Sequence, residues 1–201
     1  MPILVNAEDI TSSSTILVNG NSQAKLTDNN ENSYISIAKD TSIKIANDED
    51  IYGIYIIYEM KSIEGTISND FKTNNIGING FLHEYIDVDK LIGYSNELTL
   101  NYNEDVKIGE IYVLSKGDLP EYVEVWNTPC EEADLLLFST HSDDEQLFFA
   151  GLIPSMVAEG KKIQVVYFTN HNDTPARLDE QLNGLWTVGL KNYPVFGEKQ
   201  S

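Results

Sequence analysis

Two different periods run along this chain. Up to about residue 125, apolar and polar positions tend to alternate in short runs. TILVNG, YISIAK, SIKIA, IYGIYIIYEM, ELTLNY and KIGEIYVLS are rich in Ile, Val, Tyr and Thr and are cut by Gly, Asn and Asp turns. In SYISIAK a period of two puts Ile35 and Ile37 on one face and Tyr34, Ser36 and Ala38 on the other, as a half-buried strand requires. Runs of this kind at fairly regular spacing predict an antiparallel β-sandwich over residues 1–122.

The pattern then changes. Pro120 and Pro129 bracket a stretch, residues 123–132, that reads as a linker or a covering strand. Beyond it, residues 133–201 read as α/β units. DLLLFS, Asp134 to Ser139, is a continuous apolar run and predicts a strand buried on both faces. A helical segment follows from about Asp144 to Glu159, closed by Gly160 and two lysines, with Pro154 expected to kink it or end it early. IQVVYFT predicts a second buried strand, Arg177 to Leu190 a second helix, and YPVFG the start of a third strand. The order β-α-β-α-β predicts the first units of a Rossmann-like parallel sheet, which takes ligands at the C-terminal ends of its strands. THSDDE, residues 140–145, stands at such an end.

Composition narrows the function. A net charge of −19 repels a polyphosphate backbone, so nucleic acid is excluded as a partner. No apolar run reaches the ~18 residues of a transmembrane segment, and the opening MPILVNAEDI has no signal-peptide pattern. Cys130 is the only cysteine, which excludes an internal disulfide and a multi-thiolate zinc site.

The candidate chemistry lies in THSDDE. One reading is structural: acids in the first turn of a helix complement its dipole, and Asp143 or Asp144 can serve as an N-cap. The other uses spacing. His141 and Asp144, three apart across a strand-to-helix turn, can converge on one divalent cation such as zinc, while Asp143 is placed to act as a general base. That arrangement suits amide hydrolysis.

LLLFSTHSDDEQLFFAGLIPSMVAEGKKIQVVYFTN followed by RLDEQLNGLWTVGL resembles the PIG-L, or LmbE-like, zinc-dependent de-N-acetylases over residues 132–192. Their signature is a strand, Ala-His-Pro-Asp-Asp-Glu, a helix, a Gly-Lys element and a second strand ending in Thr. The resemblance implies a Rossmann-like fold and removal of N-acetyl groups from amino sugars or related glycoconjugates. It implies His141 and Asp144 as zinc ligands, Asp143 as the catalytic base, Glu145 as a support for the loop and Arg177 near the substrate; Arg177 paired with Glu180 at a helix start is the structural alternative. Ser142 stands where the family has Pro. The family's third ligand, a downstream histidine, has no counterpart before Ser201; His171 is the one substitute, and His83 reads as structural. The expectation is therefore the front part of a longer domain, inactive as given.

The N-terminal half resembles discoidin-like or carbohydrate-binding sandwiches through AKLTDNNENSYISI, which is similar to their Leu-Thr-Asp-Gly-Asn turn with Asn29 for Gly. Such a turn can bind calcium through Asp and carbonyl oxygens, or can be a plain Asx-rich hairpin. Tyr52, Tyr55, Tyr58, Tyr85 and Tyr94 can stack on sugars or simply pack in strands. An accessory domain of this type implies a secreted or cell-surface protein, with the cytoplasm as alternative. The functions expected are a zinc de-N-acetylase acting on a small amino sugar or glycan, or a non-catalytic glycan-binding protein with a degenerate α/β part.

Overall fold

The computed structural model describes residues 6–30, 33–170 and 174–200. It divides into two compact units, Met1–Glu124 and Val125–Ser201.

Unit 1 is a β-sandwich. In chain order its strands are β1 (Thr15–Val18), β2 (Asn21–Ser22), β3 (Ile35–Ile37), β4 (Ile43–Ile51), β5 (Gly53–Tyr58), β6 (Gly65–Ser68), β7 (Thr73–Ile76), β8 (His83–Asp87), β9 (Ser95–Tyr102) and β10 (Val106–Leu114), with a short helix α1 (Val88–Ile92) after β8. One sheet runs β2-β1-β4-β9-β6-β7 and the other β3-β10-β5-β8, with every pairing antiparallel. Alternation decides which side chains lie between them. Ile43 and Ile45 of β4, Leu98 and Leu100 of β9, and Ile67 of β6 pack with Ile54, Ile56, Ile108, Ile111 and Val113 in one core. Ile37 is buried and Ser36 exposed, as the period of two requires.

Two local departures shape the surface. Strand β5 is buried along its whole length, so it is not the half-buried strand that its neighbours are. Its second face, carrying Tyr55 and Ile57, packs with Leu114 and Val123, and Tyr112 and Leu119 lie against them. In β10 the register slips between Ile108 and Glu110. A bulge of this kind adds one residue to one strand and reverses which face the following side chains take. Ile111 and Val113 therefore stay in the core while Tyr112 and Leu114 join the outer cluster.

Unit 2 holds a parallel sheet ordered β11-β12-β13: β11 (Leu135–Ser139), β12 (Ile163–Asn170) and β13 (Val195–Gln200). The helices are α2 (Asp144–Phe149), α3 (Leu152–Ala158) and α4 (Pro175–Thr187). The helical segment, in which Pro154 is expected to cause a kink or an early end, is broken at Ala150 and Gly151. Pro154 explains the position, because its ring displaces the carbonyl four residues earlier and its nitrogen donates no hydrogen bond. Leu178, Leu182 and Leu185 of α4 are buried, as are Leu137, Ile153, Val165 and Tyr167.

Strand β11 is not buried on both faces, contrary to the reading of its apolar run. Leu136 and Phe138 are 50% and 55% exposed, and Phe138 stacks on Phe168 with centroids 5.6 Å apart. Nor does the stretch 123–132 stand apart as a linker. Val123 and Glu124 are buried in unit 1, where Glu124 meets His83; in unit 2, Trp126 packs edge-on against Trp186 and Tyr193, and the Cys130 N–H donates to Gln164.

Candidate functional site

In unit 1 an open groove of about 230 Å³ lies over the outer face of β10, lined by Asp9, Thr11, Thr27, Asn29, Glu110 and Tyr112 among others. Its aromatic lining residue is Tyr112, whose ring lies against that of Tyr122 with centroids 5.3 Å apart and tilted by 49°. The Tyr122 hydroxyl donates to Asp9 at 3.3 Å, and burial followed by the Asp9 charge pushes its pKa up. Asn29 holds a left-handed backbone, φ 54°, where Asn is tolerated because its short side chain bonds locally. Hydroxyls, an amide and a carboxylate thus rim two phenol rings, one of them 45% exposed.

One wall of this groove is formed by Thr27 and Asn29, on either side of Asp28. Asp28 accepts from the Asn30 N–H at 3.0 Å and from the Ser33 hydroxyl at 2.8 Å, and these bonds, the Ser33 one foremost, hold its pKa down. Glu110 reaches the same turn from β10: its Oε1 accepts from the Asn30 N–H at 2.9 Å. Glu110 is fully buried, and burial first, then a hydrogen bond to the Asp28 carboxyl and the Asp28 charge, push its pKa up to about 7. Two carboxyl groups side by side, one of them buried, fit a hard cation with oxygen ligands. Calcium, which the resemblance implied for this turn, would be held by Asp28, Glu110 and carbonyls of the turn.

In unit 2 the turn after β11 brings the predicted residues together. His141 Nδ1 lies 3.5 Å from Asp144 Oδ2, which also accepts from the His141 N–H at 3.0 Å. Between them Asp143 takes φ 117°, a conformation costly for any residue with a Cβ. Two bonds oppose that cost: buried Glu145 accepts from the Asp143 N–H at 3.2 Å, and Arg177 of α4 donates to Asp143 Oδ2 at 2.9 Å. Arg177 also donates to the Ser142 carbonyl and to Glu180, the second contact being the pairing foreseen as its structural alternative. These contacts, Glu180 first, raise its pKa.

Among the described residues no three His, Cys, Asp or Glu side chains gather as a metal site. His171 lies outside the described residues. His141 and Asp144 are two donors where catalytic zinc needs three, so they do not by themselves fit a zinc centre. His83 is buried with Nδ1 2.5 Å from Glu124, and Tyr55 and Tyr58 are core residues that cannot stack on a ligand.

The sequence reading missed Asp9, Glu110, Tyr112 and Tyr122. One signal was present. In KIGEIYVLS the apolar step from Ile108 to Ile111 is three rather than two, across a glycine, which marks a bulge.

No family model matches the chain, and no curated protein matches it in sequence. The resemblance to the de-N-acetylases thus rests on the motifs quoted above. Solved structures do match. CpGH89CBM32-6 from Clostridium perfringens is similar at 24% identity and a TM-score of 0.44, over 55% of this chain and 100% of that one. CBM32-3 from a family 31 glycoside hydrolase of Clostridium perfringens follows at 16% identity and a TM-score of 0.37, over 55% and 95%. A pectin-binding carbohydrate-binding module has 16% identity and a TM-score of 0.33, over 53% and 93%.

Proposed function

We propose that unit 1 is a carbohydrate-binding module whose groove over β10 holds a sugar unit, with calcium bound between Asp28 and Glu110 at its edge. The observation that carries this reading is the open groove that sets Tyr112 beside Asp9, Thr11 and Asn29, with the Tyr122 ring packed against Tyr112. Sugars present C–H faces that pack on aromatic rings and hydroxyls that pair with amides and carboxylates. Among the described residues that line the groove there are two acids, Asp9 and Glu110, and no cation, which favours neutral glycans over acidic ones.

The test is a glycan array with the full chain, followed by calorimetry on the retained glycan. Tyr112→Ala is expected to weaken binding about tenfold, roughly 1.4 kcal/mol, while leaving far-UV circular dichroism unchanged. An array without hits, or unaltered affinity in both Tyr112→Ala and Asn29→Ala, would end the proposal.

A second reading has its own support in the strained Asp143 and the approach of His141 to Asp144. On it, unit 2 carries part of a PIG-L-like de-N-acetylase site acting on amino sugars, with His141 and Asp144 as zinc ligands, Asp143 as base and Arg177 beside the substrate. Isothermal titration with zinc separates the readings. A 1:1 site of micromolar or tighter affinity, lost in His141→Ala, together with acetate release from N-acetylglucosamine conjugates that Asp143→Asn abolishes, is expected if unit 2 is catalytic. Glycan retention by unit 1 with neither zinc uptake nor acetate release leaves a binding protein.

A further inference from the structure

The crossovers of unit 2 advance in one direction, from β11 to β12 to β13, and right-handed crossovers that do so put their helices on the same face of the sheet. That face is closed: Leu137, Val165 and Tyr167 are buried, and Tyr167 lies near Gln181 of α4 and Glu145 of α2. The other face is open. Its parallel register sets Phe138 beside Val166 and Val166 beside Val195, one apolar row across all three strands. Leu136 and Phe168 extend the row along β11 and β12, and the Phe168 ring stacks on that of Phe138.

Parallel sheets ordinarily have both faces covered. Half or more of Leu136, Phe138 and Phe168 and over a third of Val195 are exposed, roughly 400 Å² of apolar side chain in one patch. A patch of this size marks a contact surface.

Charge, shape and area select what covers it. Among the described residues of the face none is charged, while the chain as a whole carries −19. A second copy brings the same neutral patch, and contact confined to that patch keeps the two sets of acids apart. The shape is self-complementary. Phe138 projects on the β11 side, whereas on the β13 side Val195 is short and Gly197 has no side chain; glycine is required there, because a Cβ would lie 2.6 Å from the Phe168 carbonyl oxygen. A two-fold axis running along β12, between two facing sheets, sets Phe138 of each copy over Val195 and Gly197 of the other and brings the two Phe168 rings together on the axis. The pair buries roughly 800 Å² of side chain, less than the ~1,200 Å² at which stable interfaces begin, which makes the association weak and reversible.

We propose that unit 2 mediates a weak two-fold dimer of this chain through the open face of its parallel sheet, with Phe138 of one copy seated against Val195 of the other. Neither glycan binding by unit 1 nor zinc at His141 is needed for it.

Sedimentation equilibrium of the full chain between about 5 and about 500 µM is expected to show a reversible monomer-dimer equilibrium with a Kd on the order of 100 µM. Raising sodium chloride from about 50 to about 500 mM should tighten it about threefold or more, because salt screens the repulsion between two acidic chains and leaves apolar contact in place. Phe138→Lys and Val195→Glu, both at exposed positions, are each expected to weaken association about tenfold or more with little change in Tm. Mixing the two variants should recover dimers that neither forms alone, since the substituted positions meet across the axis with opposite charges, which a folding defect cannot mimic. A chain that stays monomeric throughout, association that salt loosens, variants that associate as the original does, or a mixture no stronger than its components overturns the proposal.

Discussion

With calcium removed by a chelator, the unfolding free energy of the protein is expected to fall by about 2–3 kcal/mol as pH rises from about 4.5 to about 7, and calcium at pH 7 is expected to restore it. The cause is Glu110, whose pKa in the folded protein is pushed up to about 7 from an ordinary 4.5. Between those values the folded state holds a proton that the unfolded state has released. Stability is therefore fully present below pH 4.5 and is lost as pH climbs through 7, the reverse of the usual behaviour of a carboxylate. Asp28, whose pKa is lowered, acts in the opposite sense, its contribution lost only as pH falls below the ordinary value of 3.8. The two windows do not overlap. A cation between the carboxylates removes the penalty on Glu110, and at a concentration 100 times its Kd it adds about 2.7 kcal/mol, a rise in Tm of roughly 10 °C. Glu110→Gln should flatten the pH profile and abolish the calcium response together. Scanning calorimetry at three pH values with and without calcium decides it, and a chelated protein whose Tm ignores pH and calcium sinks the idea.

What could be read in the sequence, and what could not, divides by distance along the chain. Ile35 and Ile37 in SYISIAK point inward because alternation is local, and the Asx turn that Asp28 makes with the Asn30 N–H is equally local. Glu110 meets that turn from 80 residues away. No local pattern announces it, and the bulge that aims it shows only as one irregular step after Ile108. The burial of β5 on both faces likewise depends on Leu119 and Val123 folding over Tyr55 and Ile57. In unit 2 the spacing of THSDDE foretold that His141 and Asp144 would approach each other, since three residues of turn leave few alternatives. It did not foretell the strain at Asp143, which is opposed by Arg177 from 34 residues later. The apolar run of β11 misled for a related reason: composition records how many apolar side chains a strand has, and whether both faces are covered is decided by other elements.

Replacing His83 by alanine is expected to destabilise unit 1 by about 3–5 kcal/mol, the largest loss for a residue outside its main core, and to weaken glycan binding with it. His83 and Glu124 are each 1% exposed and meet at 2.5 Å, linking β8 to the segment that closes unit 1. Removing the imidazole leaves the Glu124 carboxylate buried with a partner gone, and burial of an uncompensated charge costs more than the pair contributes. The segment it ties down is the one that carries Tyr122 and Val123. Val123 packs in the cluster behind Tyr112, and Tyr122 forms half of the aromatic pair in the groove. Loosening it therefore moves the ring that packs on Tyr112 and breaks the bond of its hydroxyl to Asp9 at the rim. The double variant His83→Leu with Glu124→Leu tests the explanation, because it removes both polar groups and fills their volume; it should recover most of the stability lost in His83→Ala and much of the glycan affinity. Urea unfolding of the single and double variants measures the first, calorimetry with the retained glycan the second. If the double variant is as unstable as the single one, the loss comes from packing around the ring rather than from the stranded carboxylate.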